Sequence, residues 1–295
     1  MQIRLGANFP LMVLPATKSV AGVPWRRVTP LTVARASTGW VPASAVTSAR
    51  PAGTTNAGFD ALDPALAAYL ARHRTQVGVT VLDMTHGVMY RYNSGHAFIA
   101  ASSVKVPIML ALLRKLEAAG RRPTTHEVAL LTAMIEHSDN NAATALDLQV
   151  GDRAGLQRFA TALGLTGFKP GSHYDDGWGW GTLTPDAMVR LLTQFQRGKV
   201  LTSAADTRLA RTLMSNVEDG QRFGVGTTAP AGATVLLKNG WVPGPDGLWV
   251  ANSSGIVITA RDTYVIAVYT AHDASLSQGR AILEHVCAAV SARLK

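Results

Sequence analysis

The sequence predicts an α/β (α+β) chain: one antiparallel sheet flanked by N- and C-terminal helices, with an all-helical lobe inserted between its strands. Three observations carry this. Strand-like runs occur early, at Val77–Asp83 and Val88–Tyr92, and again late, at Thr234–Lys238, Leu248–Ala260 and Thr263–Thr270. Between them lie stretches of helical period at 125–137, 139–148, 152–163, 184–197 and 203–217. Two more amphipathic stretches, Asp60–Gln76 and Ala274–Leu294, bracket the whole. Strands at distant ends of a chain, with helices between, fit a sheet assembled from separated segments. The lobe then covers about residues 103–217 of a domain spanning 58–295.

Residues 1–57 lack sustained periodicity and are rich in Ala, Thr, Ser, Pro, Val and Arg. That composition predicts a leader that is disordered or processed. Its apolar patch Phe9–Ala16 contains Pro10 and Pro15 and makes a poor signal-peptide core. Arg26-Arg27 faintly resembles a twin-arginine signal, but no good apolar run follows, so a flexible tail or a mis-assigned start fits equally. From Phe59 the pattern becomes regular. Leu62, Leu66, Tyr69 and Leu70 share one side of the first helix. Thr85-His86-Gly87 turns the first two strands into a hairpin. Thr166–Leu183, rich in Gly and aromatic residues, is a long loop of the kind that often carries function. A bend is expected at Ser253-Ser254-Gly255.

Length and composition exclude several classes. A chain of 295 residues with 47% hydrophobic content can bury a large core. No stretch approaches a transmembrane helix. The single Cys287 forbids an internal disulfide and falls in the apolar pattern of the last helix, where it fills core. The net charge is +9, yet no acidic residue precedes Asp60, and Arg4, Lys18, Arg26, Arg27, Arg35 and Arg50 supply +6 of it. The remainder leaves no basic binding face, and no nucleic-acid motif occurs. There is no H-E-x-x-H and no Cys/His cluster, so no metal or other cofactor is expected. The implied partner is a small-molecule substrate, and the protein is expected to be a monomer.

The chemistry begins at Ala101-Ser102-Ser103-Val104-Lys105-Val106-Pro107. Ser102 and Lys105 are three apart, so a helix starting here puts both on one face of its first turn. Pro107 fits that turn, and Ile108–Leu113 continue it as a buried helix. A buried amine with a lowered pKa can take the serine proton and make a nucleophile. The same pair also arises as a helix cap followed by a surface lysine. Two later motifs decide between these readings: Ser138-Asp139-Asn140 between two helices, and Lys238-Asn239-Gly240 at the end of a late strand.

S-x-x-K, then S-D-N, then K-x-G in this order resembles the serine β-lactamase and penicillin-binding-protein superfamily, most closely the class A β-lactamases. The resemblance covers about residues 59–294 and implies a β-lactamase/transpeptidase-like fold. It implies an acyl-enzyme at Ser102, with Lys105 as its base or the relay from one. Ser138 would pass a proton to the leaving nitrogen. Lys238 would hold Ser138 and attract an anionic substrate. Asn140 would bind a substrate amide and help hold Lys105. The backbone N–H groups of Ser102 and Trp241 would form the oxyanion hole. Asn239, Gly240 and Trp241 would line the substrate site.

The chain departs from that pattern in three places. Asn239 stands where the family usually has Thr or Ser, and Trp241 where it usually has a small residue. The class A loop glutamate that activates the deacylating water is missing: the glutamates are Glu117, Glu127, Glu136, Glu218 and Glu284, none of them in Thr166–Leu183. His173, Asp175 and Asp176 lie in that loop as replacement bases, although aspartates in Gly-rich loops also simply make turns. The resemblance therefore implies a bacterial serine hydrolase opening a β-lactam. It leaves open a peptidase, esterase or transacylase with the same acyl-enzyme, and a weakly catalytic sensor of β-lactams or cell-wall fragments. It implies secretion or a periplasmic site, while the weak leader leaves a cytoplasmic role open.

Overall fold

The computed structural model describes residues 11–21, 23–30, 39–42, 55–73, 76–175 and 177–294. In chain order come strands β1 (Leu11–Val20), β2 (Val23–Pro30), β3 (Gly39–Pro42) and β4 (Thr55–Ala57), then helices α1 (Phe59–Leu62) and α2 (Pro64–Arg72). Next are β5 (Val77–Asp83), β6 (Val88–Tyr92), β7 (Phe98–Ile99), a 3-10 turn at Ala101–Val104 and α3 (Lys105–Ala118). The helices α4 (Thr125–Glu136), α5 (Asn140–Val150) and α6 (Asp152–Ala162) follow, then β8 (Phe168–Lys169), a 3-10 turn at Trp178–Trp180 and β9 (Thr182–Leu183). The chain ends with α7 (Pro185–Gln196), α8 (Ala204–Ser215), α9 (Val225–Thr228), β10 (Thr234–Pro243), β11 (Trp249–Ile258), β12 (Thr263–Asp273) and α10 (Leu276–Arg293).

Two compact units divide the chain, residues 1–54 and 55–295. The first holds an antiparallel sheet, β1-β2-β3, inside the stretch expected to be a disordered or processed leader. Val- and Thr-rich segments favour extended pairing. The register of β1 on β2 shifts between Val13 and Thr17, around Pro15, whose nitrogen has no hydrogen to give a ladder. The expected domain boundary also moves. Thr55–Ala57 pairs in parallel with β6, so the second unit's sheet begins before residue 58.

That sheet runs β10-β11-β12-β5-β6-β4 and is antiparallel apart from its β4 edge. All seven residues of β5 are buried, which requires cover on both faces. Helix α10 packs on β11 and β12, and α7 packs on β5, β11 and β12. Helices α3, α4, α5, α6 and α8 pack on one another as the helical lobe. Helix α7, expected inside that lobe, belongs to the sheet: Met188, Val189, Leu191, Leu192 and Phe195 are all buried. Among the described residues, no helix is long and apolar enough to cross a membrane.

Three further expectations shift. The helix expected at Asp60–Gln76 breaks at Asp63, whose carboxylate accepts from the Ala65 and Leu66 N–H groups and caps α2 ahead of Pro64. The strand expected to stop at Lys238 continues to Pro243, in unbroken register with β11. Ser253-Ser254-Gly255 is straight, and the irregularity in β11 lies between Trp249 and Ala251 instead.

Candidate functional site

The nucleophile turn is a 3-10 turn rather than the first turn of an α-helix. In a 3-10 turn residues i and i+3 eclipse, and the Lys105 N–H at the end of the turn donates to the Ser102 carbonyl. Ala101, just before the serine, has φ of +45°. A left-handed alanine is strained, and such strain persists only where the surroundings impose it. Asn252 of β11 imposes it in part: its Nδ2 donates to the carbonyls of Ile99 and Ala100 at 2.9 and 3.1 Å. Strand β10 approaches from the sheet edge. A Cβ on Gly240 would lie 2.7 Å from the backbone nitrogens of both Ser102 and Ser103, so only glycine fits. That contact lays β10 at Gly240 directly against the backbone at Ser102 and Ser103.

Lys105 opens α3 with its side chain fully buried. Its Nζ meets the Ser138 carbonyl at 2.5 Å, Ser138 Oγ at 3.0 Å and Asn140 Oδ1 at 2.8 Å. Ser138 lies between α4 and α5 with φ of +57°, a second strained residue, and this conformation turns its carbonyl to the amine. Asp139 supports the turn by capping α5 at the Ala142 N–H, 2.7 Å away. From the sheet, Lys238 Nζ reaches the same Ser138 Oγ at 3.0 Å. The hydroxyl therefore sits between two buried amines. Burial lowers the Lys105 pKa to about 7. Burial, and then repulsion from Lys105, lowers Lys238 to about 7 as well. The two titrate as a coupled pair.

Two residues outside the expected set complete the sheet side. Gln221 presents Oε1 to Lys238 Nζ at 3.4 Å. Glu218 bonds to Gln221 Nε2 and His137 Nδ1, and its charge favours the protonated form of Lys238. No sequence motif marks either residue. His137, at the C-terminal end of α4 just before Ser138, contacts the Glu218 carboxylate. Asn239 is fully buried, and its amide nitrogen donates to the Gln221 and Phe223 carbonyls at 2.8 and 2.7 Å. This corrects its expected place on the substrate. A carboxamide has two N–H donors where a threonine hydroxyl has one, so it ties down the segment carrying Gln221. Trp241 is half-buried and meets the Phe223 ring edge-on, with centroids 5.5 Å apart.

Two of the expected bases in the loop Thr166–Leu183, His173 and Asp175, are exposed. Asp175 forms an exposed ion pair with Arg153 at 2.5 Å. The His173 N–H donates to Asp152 Oδ1 at 2.7 Å, and the residue is exposed. Neither is among the hydrogen-bond partners of Lys105 Nζ or Ser138 Oγ. Asp176 lies outside the described residues. The loop's anchor is a carboxylate pair: Asp152 accepts from Ser172 Oγ at 2.6 Å, and Asp147, fully buried beside it, has a pKa raised to about 7 by burial and by the Asp152 charge. What the loop sends inward is Trp178, whose ring centroid lies 5.1 Å from Lys105 Nζ.

Among the described residues, one group of three could offer metal ligands, Asp83, His86 and Asp262. Its bonds are those of a turn, since Asp83 accepts from the Thr85 and His86 N–H groups and from His86 Nδ1.

A model of the beta-lactamase enzyme family matches residues 61–126 and 124–294. None of the curated proteins matches. Among solved structures, the TLA-3 extended-spectrum beta-lactamase is 22% identical over 80% of this chain and 98% of its own, with a TM-score of 0.69. A class A beta-lactamase representative from Bacteroides cellulosilyticus is 20% identical over 79% and 97%, at 0.69. PBP-A is 18% identical over 81% and 97%, at 0.70. At these identities the likeness shows a shared fold.

Proposed function

The chain belongs to the beta-lactamase enzyme family, and we propose that it is a serine hydrolase of the β-lactamase type, opening a cyclic amide through an acyl-enzyme at Ser102. One observation carries the reading: Ser138 Oγ lies 3.0 Å from each of two buried lysine amines. Neutral Lys105 takes the Ser102 proton as Oγ bonds to the acyl carbon. As the carbon–nitrogen bond breaks, Ser138 gives its proton to the leaving nitrogen and regains one from Lys105. A hydroxyl can accept from both amines and still donate. Lys238 offers charge to an anionic substrate, Asn140 aligns Lys105, and the Ser102 and Trp241 N–H groups receive the oxyanion. Such a substrate belongs outside the cytoplasmic membrane, in the periplasm or medium.

A second reading keeps the acyl-enzyme and changes the acceptor to an amine or alcohol, giving a peptidase, esterase or transacylase. It is favoured by the surroundings of Lys105, where no described carboxylate is hydrogen-bonded to the amine.

The test mixes purified protein with a chromogenic cephalosporin and follows colour and intact mass together, with Ser102→Ala as control. A covalent adduct, absent in the control, is expected. Sustained turnover supports the hydrolase, and a burst with a persistent adduct supports acyl transfer. An adduct that survives Ser102→Ala sinks both.

A further inference from the structure

Lys105 has an aromatic neighbour where water chemistry would call for a base. The Trp178 ring lies 5.1 Å from Nζ, within the range at which an indole face attracts a cation. The ring is fixed rather than free. Its Nε1 donates to Thr144 Oγ1 at 3.0 Å, and Thr144 belongs to α5, the helix that also carries Asn140. The next residue, Gly179, packs on the strained alanine before the nucleophile: a Cβ there would stand 3.9 Å from Ala101 Cα. The base of the loop is closed by two glycines in backbone contact, since a Cβ on Gly181 would come within 2.3 Å of the Gly171 nitrogen. Trp180, two residues on, is by contrast 39% exposed.

Hydrolysis of an ester on Ser102 needs four events. A water oxygen bonds to the acyl carbon, its proton passes to a base, the bond to Ser102 Oγ breaks, and Oγ regains a proton. Lys105 is the amine placed for that exchange. A water using it must stand within hydrogen-bond distance of Nζ, about 2.7–3.2 Å. Three acceptors already surround Nζ: the Ser138 carbonyl, Ser138 Oγ and Asn140 Oδ1. The indole adds apolar cover to what is left. We propose that Trp178 is a positioning residue that shields the acyl-enzyme, keeping water from Lys105 so that the acyl group on Ser102 outlives its formation. The proposal rests on the acyl-enzyme reading above.

The full chain is acylated with a chromogenic cephalosporin and, separately, with a p-nitrophenyl ester. Formation is read from the burst, and decay from intact mass after excess reagent is removed. Wild type is compared with Trp178→Ala, Trp178→Phe and Thr144→Val. In Trp178→Ala the adduct is expected to decay about tenfold faster while acylation changes less. Trp178→Phe keeps an aromatic face and is expected to restore the long lifetime. Thr144→Val frees the ring without removing it and is expected to fall between. Equal adduct lifetimes in wild type and Trp178→Ala overturn the shield. Should Trp178→Ala not fold, an unchanged lifetime in Thr144→Val does the same. No adduct on wild type with either reagent overturns the acyl-enzyme reading and the shield together, a result distinct from an adduct of unchanged lifetime.

Discussion

The two walls around Ser102 are built to opposite standards. On the wall formed by β10 and the Ser138 turn, polar atoms converge: two buried amines, the Ser138 hydroxyl, the Asn140 carboxamide and the backbone carbonyls of Ser138 and Asn239 lie within 2.5–3.1 Å contacts. Burial there strips the lysines of water and holds their pKa values near 7, where an amine can act as base. On the wall formed by Thr166–Leu183, His173, Tyr174 and Asp175 are exposed, Ser172 is turned to Asp152, and the group beside Lys105 is the Trp178 ring. On the acyl-enzyme reading proposed above, formation and breakdown of the ester would draw on different parts of one site, and the clustered polar groups lie on the first.

The sharpest way to break the comparison is at Lys238. Lys238→Ala is expected to lower the acylation rate about a hundredfold, the scale for losing one preorganised electrostatic group. It also changes the pH profile. In wild type, acylation should peak near pH 7, rising as Lys105 loses its proton and falling as Lys238 loses its charge. Removing the second amine ends the repulsion between the two, so Lys105 holds its proton longer and the rise should move to higher pH. A stopped-flow pH profile of the burst reads both effects. An unshifted profile in Lys238→Ala would show that the two amines do not titrate together.

The loop wall can be probed through its anchor. Asp147 keeps its proton in the folded chain up to about pH 7, against an ordinary value of 3.8 when unfolded. The folded state then binds more protons between those two values, so stability should fall as pH rises through that window and level off above it. Asp147→Asn keeps the shape and removes the titration. It is expected to be more stable than wild type near pH 8, with a smaller difference near pH 5, as read from urea midpoints. Equal midpoints at both pH values would mean that the pair carries no cost.

The acylating wall was legible because its residues sit in short motifs whose spacing fixes their direction. Ser102 and Lys105 lie three apart across one turn, Ser138 sits in the left-handed turn between α4 and α5, and Lys238 lies on a regular strand. The deacylating wall was not. Which side chain of a Gly-rich loop points inward depends on the backbone contact between Gly171 and Gly181 and on Asp152, which precedes the loop in helix α6. Asn239 was misplaced for a similar reason, since its partners Gln221 and Phe223 come from a segment that no periodicity links to β10. Helix α7 reads as amphipathic wherever it packs, so its pattern could not say sheet or lobe. The β1–β3 sheet was hidden by prolines that interrupt its alternation while still tolerating edge and bulge positions.

The smallest effect expected is the most direct check on where the bases lie. Asp175 bonds to Arg153 at the surface, with about half of each side chain exposed. An exposed pair contributes about 0.2–1 kcal/mol at most, less in salt. Asp175→Asn should therefore leave acylation and adduct decay within about twofold of wild type. If decay slows tenfold or more instead, Asp175 reaches the ester in the acylated state. The loop wall would then be furnished after all, by a carboxylate that swings in once the substrate is bound.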